Sequence, residues 1–165
     1  MLWAHRAAIP KKLFTRPILS RLARMVHSQP EDGSTLTANF KVLPSDLASA
    51  TSPEESDGYA KVLATPRLVA FMEIVCARML VPHQAPGQMS VGTRVEMNHL
   101  AATNVDEMIS VTAKFLGKEG KQFAFDTVIT DAGGEVGRGK HWRAMIDEQR
   151  LMEGARKRMA SKSKI

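Results

Sequence analysis

Between residues 64 and 103 the spacing of apolar side chains changes from a nearly continuous run to a strict alternation. From Leu68 to Leu80 the residues Leu68, Val69, Phe71, Met72, Ile74, Val75, Cys76, Met79 and Leu80 fall all around a helical axis, the pattern of a helix buried on most sides. Thr65-Pro66 marks its start: a hydroxyl able to cap orphan backbone N–H groups precedes a proline placed where its missing N–H costs nothing. From Val91 onward, Val91, Thr93, Val95, Met97 and His99 alternate with Gly92, Arg94, Glu96 and Asn98, which predicts a strand with one buried face. Alternation returns over 109–115, over 123–129 and from about 135 to 146, and an earlier strand covers about 35–43. Gly117-Lys118-Glu119-Gly120 and Asp131-Ala132-Gly133-Gly134 carry the glycines that tight hairpins need. The predicted order is strand, buried helix, then four antiparallel strands joined by short turns. That is an α+β domain in which an antiparallel sheet wraps one central hydrophobic helix on nearly all sides.

Glu73 breaks the apolar pattern, as the only charge between Arg67 and Arg78. Its helical neighbours Val69, Ala70, Cys76 and Ala77 offer no cation, so the carboxylate is either stripped of water or held by partners from elsewhere in the fold. Both cases make it a candidate general base. His99 continues the buried row of its strand. Taken singly, each residue also has an ordinary reading: Thr65 as a helix cap, Glu73 as a buried but satisfied acid, His99 as a core histidine bonded to a carbonyl, and Gly92 as the mark of a bulge or close approach. Their joint spacing favours a site. Cys76, the only cysteine, fits a small apolar helix position and has no second cysteine to bridge or ligate. Neither a metal-ligand cluster nor a phosphate loop stands out among the five histidines and eleven glycines.

Ala64-Thr65-Pro66, Glu73, Ser90-Val91-Gly92-Thr93, His99-Leu100-Ala101-Ala102-Thr103 and Gly137-Arg138-Gly139-Lys140-His141-Trp142-Arg143 together resemble the hotdog-fold thioesterases of the fluoroacetyl-CoA thioesterase type, over roughly residues 59–147. The resemblance implies that Thr65, Glu73 and His99 are the catalytic threonine, glutamate and histidine, and that the backbone of Gly92 lies against the bound acyl thioester. It also implies a homodimer or dimer of dimers with sites at the subunit interface. Tyr59, just before the run that starts at Ala64, is a candidate for shaping the pocket, with an ordinary buried aromatic as the alternative. Lys140 stands where relatives tend to have threonine, so His141 is assigned no chemical role.

Composition adds addresses and exclusions. With 165 residues, 44% of them hydrophobic, the chain suits one modest domain with tails. Its net charge of +6 belongs to those tails: residues 1–30 hold six basic and no acidic residues, 150–165 hold six and one, and the middle holds 11 and 16. An acidic domain with 5% aromatic content does not read as a nucleic-acid platform. Residues 1–30 space Arg6, Lys11, Lys12, Arg16, Arg21 and Arg24 among apolar residues, as a mitochondrial presequence does, and lack the long apolar core of a membrane span. Residues 31–147 then form the hotdog domain and 148–165 a basic tail with a short charged helix over 148–159. The tail ends Ser163-Lys164-Ile165, one conservative change from a peroxisomal Ser-Lys-Leu address.

The expected function is hydrolysis of a short or small acyl-CoA thioester in mitochondria, with the peroxisome as the alternative compartment. Glu73 is expected to act as base or nucleophile with Thr65 hydrogen-bonded to it, His99 to assist proton transfer, and the Gly92 N–H to polarise the carbonyl. No cofactor is expected, CoA being part of the substrate. The alternative is a non-catalytic acyl-CoA-binding hotdog module; a hydratase of the same fold would need an acid–histidine motif on one segment, which is absent.

Overall fold

The apolar run beginning at Leu68 forms helix α1 (Thr65–Leu80), and it is the pivot of the fold. The computed structural model describes residues 29–162; the presequence-like segment up to Pro30 falls almost wholly, and Ser163-Lys164-Ile165 entirely, outside them. Five strands, β1 (Thr35–Lys41), β2 (Gln88–His99), β3 (Met108–Glu119), β4 (Gln122–Asp131) and β5 (Gly134–Asp147), pair antiparallel in one sheet of order β1-β3-β4-β5-β2. A second helix, α2 (Glu148–Lys162), follows β5 directly. No described helix is long and apolar enough to cross a membrane.

α1 buries Leu68, Phe71, Met72, Val75, Cys76, Met79 and Leu80 against Ile109, Val111, Ala113 and Phe115 of β3 and Phe123, Phe125 and Ile129 of β4. Each such side chain contributes about 1.5–3 kcal/mol by leaving water. The sheet wraps the helix on one flank rather than on nearly all sides. Five strands curl round one flank of the helix and leave a strip open at the β2 end, where Ile74 is 36% exposed and the Glu73 side chain 41%.

Two sequence expectations change in the sheet. β2 does not form a hairpin with β3: residues 100–107 carry the chain across, and β2 pairs with β5 as the outermost strand. The β3–β4 turn is also tighter than expected. β3 runs through Glu119, Gly120 takes the left-handed conformation at φ +62°, and Gly117 lies inside the strand where the register shifts.

The third change shapes the site. Gly92 stands opposite Arg143 and Arg94 opposite Trp142, which leaves Thr93 as an extra residue without a partner. Its hydroxyl donates to the Trp142 carbonyl at 3.1 Å and accepts from Gln122 Nε2 at 2.8 Å. A bulge of this kind reverses the alternation of side chains. The helix-facing row is therefore Ser90 and Gly92 before Thr93 and Val95, Met97 and His99 after it, not the uniform row from Val91 to His99.

Candidate active site

Thr65 is the first residue of α1, but Ala64 occupies the cap position and no side chain caps the helix. The Thr65 hydroxyl is instead hydrogen-bonded to His99 Nδ1 at 2.9 Å. His99 Nε2 is buried and has no hydrogen-bond partner among the described residues. A latch holds this end of the helix: the Asp46 carboxylate, 2% exposed, accepts from Arg67 Nε at 2.6 Å and from the Leu43 N–H at 2.9 Å, while its carbonyl accepts from the Ala64 N–H at 2.9 Å.

Eight residues further on, Glu73 projects under Gly92, where any Cβ would overlap its Oε1. Its nearest polar neighbours come from β5, but the side chain is 41% exposed, so the carboxylate is neither stripped of water nor clamped by a cation, the two alternatives that the sequence leaves. Glu73 Oε1 lies 3.6 Å from Nε2 of His141, a fully buried ring. The His141 Nδ1 donates to the Arg94 carbonyl at 3.0 Å; because a carbonyl only accepts, Nδ1 carries the proton and Nε2 of the neutral ring is a lone pair. Arg143 Nη1 donates to that lone pair at 3.1 Å, Nε to Ser90 Oγ at 3.0 Å and Nη2 to the Ser90 carbonyl at 2.7 Å.

The electrostatics follow from burial. Desolvation pushes the pKa of His141 below its ordinary value, reinforced by Arg143 and opposed by the Arg94 carbonyl and Glu73. It also lowers that of Arg143, against the pull of Glu73 and Cys76. The Cys76 thiol is pushed up to about 12, mainly by burial, with Arg143 acting in the opposite sense; it is a neutral packing group rather than a nucleophile.

The predicted residues thus fall into two groups. Thr65 pairs with His99, not with Glu73 as expected, and Glu73 joins Gly92. Along α1 the groups are roughly 12 Å apart at 1.5 Å per residue, and along β2 Gly92 and His99 are about 23 Å apart at 3.3 Å per residue. Tyr59 belongs to neither. It is 54% exposed and lines a separate cavity of about 330 Å³ with Ser49, Pro53, Glu54 and Lys61. Sequence reasoning missed Ser90, His141 and Arg143. The available signal was two basic side chains at alternate positions in the helix-facing row of β5, whose other members are glycines and Met145.

Comparison with known proteins gives a consistent result. The profile of the fluoroacetyl-CoA-specific thioesterase family matches residues 42–149. The chain is 33% identical over 116 residues to the fluoroacetyl-CoA thioesterase of Streptantibioticus cattleyicolor, covering 69% of this chain and 84% of that protein. A solved structure of a fluoroacetyl-CoA thioesterase superposes with a TM-score of 0.74 at 30% identity, over 79% of this chain and 98% of that one. A mutant of such an enzyme in complex with fluoroacetate and CoA gives 0.69 at 31%, over 74% and 99%. A thioesterase superfamily member from Thermus thermophilus, 21% identical, shares the fold with a TM-score of 0.71 over 81% of this chain and 96% of that one.

Proposed function

The chain belongs to the fluoroacetyl-CoA thioesterase family, and from that membership we propose that it hydrolyses a short or small acyl-CoA thioester to the free acid and CoA. The observation that carries this reading is the place of Glu73: the one charge between Arg67 and Arg78 on α1, directly under the backbone of Gly92. A thioester carbonyl laid along Gly92 would meet its N–H, which stabilises the oxyanion as the acyl carbon becomes tetrahedral. Glu73 would then take a proton from an attacking water, or add to the carbonyl carbon itself. In either route a C–O bond forms, the C–S bond breaks, and the departing sulfur needs a proton; in the second route a water then cleaves the Glu73 mixed anhydride, releasing the acid and restoring the carboxylate. The Thr65–His99 pair is suited to supply it, since His99 Nε2 has no hydrogen-bond partner among the described residues.

The two groups are too far apart to act together within one subunit. β2 is an outermost strand of 12 residues, and an edge of that length is a template for pairing with another chain. Antiparallel pairing of two copies about Val95 and Glu96 would set Gly92 opposite His99 of the partner subunit. Each site would then combine Glu73 and Gly92 of one protomer with the Thr65–His99 pair of its partner, in a symmetric dimer. It would also cover the open strip of α1.

Release of free thiol from a panel of acyl-CoA thioesters tests the assignment. Turnover that falls with acyl size is expected; saturable binding without thiol release across the panel would instead make the protein an acyl-CoA-binding module. The basic, acid-free segment up to Met25 supports a mitochondrial address. With an internal tag that masks neither end, deletion of the residues before Met25 should abolish mitochondrial signal, and its persistence would refute that address.

A further inference from the structure

Behind Glu73 lies a buried polar group that the hydrolytic steps do not use. We propose that His141 is a positioning residue: neutral, it offers Nε2 as an acceptor that orients the Arg143 guanidinium, and the charge of that guanidinium draws the Glu73 carboxylate into its place under Gly92. The inference rests on the role given to Glu73 above and adds the side chain that holds it in place.

The geometry leaves the ring little choice. The Arg94 carbonyl requires a proton on Nδ1, so only the neutral ring can accept from Arg143 Nη1 at 3.1 Å. A second proton on Nε2 would replace that acceptor with a donor aimed at a guanidinium. Ser90 accepts two further guanidinium hydrogen bonds, from Nε and Nη2, which makes His141 the third point of a three-point mount. The groups facing the ring are Glu73 from α1, with Cys76 beside it, Arg143 from β5, and the Arg94 carbonyl, Val95 and Ser90 from β2. β4 places Phe125 opposite His141. Glu73 is the one anion among them, and burial disfavours the imidazolium. If His141 only filled space, a phenyl ring would serve equally well.

Two variants of the full chain separate these roles. His141→Phe keeps the ring and removes the acceptor; His141→Gln places an amide oxygen near the Nε2 position. Expected for His141→Phe is a kcat for thiol release lower by about ten- to a hundredfold with KM changed less than about threefold, and for His141→Gln recovery to within about fivefold of the unaltered chain. Equal activity of His141→Phe and the unaltered chain, or a Gln variant as impaired as Phe, would overturn the proposal. Nitrogen NMR of the imidazoles, assigned by the signal lost in His141→Gln, reads the mount without any turnover. A neutral ring protonated at Nδ1, persisting below the ordinary histidine range near about 6.5, is expected; an Nε2–H tautomer, or an imidazolium at neutral pH, would overturn it even if His141→Phe does not fold. Should the unaltered chain release no thiol, the hydrolytic reading fails while the NMR result still decides the placement of His141.

Discussion

Replacing Gly92 with alanine puts one methyl group where the proposed chemistry needs open space. The new Cβ would overlap Glu73 Oε1, reach 3.4 Å from Glu73 Cδ and come within 3.0 Å of His141 Cε1. Gly92 is not among the glycines with positive φ, so alanine brings no backbone strain and the effect is purely one of volume. His141 is fully buried and pinned to the Arg94 carbonyl, whereas the Glu73 side chain is 41% exposed; the carboxylate therefore yields. It must retreat by about 1 Å to restore van der Waals contact, and a misplacement of that size costs about a hundredfold in rate. At 1.36 kcal/mol per decade this is about 2.7 kcal/mol of lost transition-state stabilisation. Folding loses only about 1 kcal/mol, the low end for overpacking, because the displaced group can move towards solvent. Steady-state kinetics by free-thiol detection, run beside thermal melts, measure both quantities. A kcat/KM within about threefold of the unaltered chain would show that Glu73 does not work from beneath Gly92.

Thr65→Ser keeps the hydroxyl bonded to His99 and should retain activity within about tenfold, while Thr65→Val should lose about a hundredfold; because Thr65 caps nothing, both should melt close to the unaltered chain, and a large melting shift would restore the cap reading. Asp46→Asn removes the charge from a carboxylate that is 2% exposed, but its partner Arg67 is 41% exposed, so the loss should be about 1–3 kcal/mol in denaturant titration rather than the full cost of a buried pair; an unchanged midpoint would show that the latch does not hold the helix start. For His141, whose pKa folding lowers, neither state binds the proton above the ordinary range, whereas below about 6.5 the unfolded chain takes up a proton that the folded chain refuses. Stability should therefore fall with pH from that point down to the folded pKa, more steeply than in His141→Gln, and equal slopes of melting temperature against pH would rule this out.

The helix and the existence of each strand were legible because they depend on local spacing: a crowd of apolar residues from Leu68 to Leu80 calls for burial, and the single acid Glu73 in that run marked the candidate site. Pairing order was harder. The eight residues between His99 and Met108 permit a crossing but do not say that β2 lies beside β5 instead of β3, since that choice is made by long-range contacts. The bulge at Thr93 was hidden for a related reason. Alternation reads equally well in either phase on both sides of Gly92, and only the partner strand fixes where the phase changes. His141 and Arg143 were passed over because a buried basic residue in β5 makes sense only once Ser90, Arg94 and Glu73 are known to converge there. The position of Thr65 next to Pro66 allows a cap as readily as a site residue, and only the fold shows that the hydroxyl points to His99, a contact between residues 34 positions apart.

A complementation experiment goes to the heart of the proposed site, which combines Glu73 and Gly92 of one subunit with the Thr65–His99 pair of another. Glu73→Gln and His99→Ala subunits, each about a hundredfold or more below the unaltered chain alone, are produced together so that dimers form at random. Half of the dimers are then mixed, and each mixed dimer holds one intact site of two, so thiol release should recover to about a quarter of the unaltered rate. Activity no higher than that of the separate variants would show that the two groups do not meet across a subunit boundary.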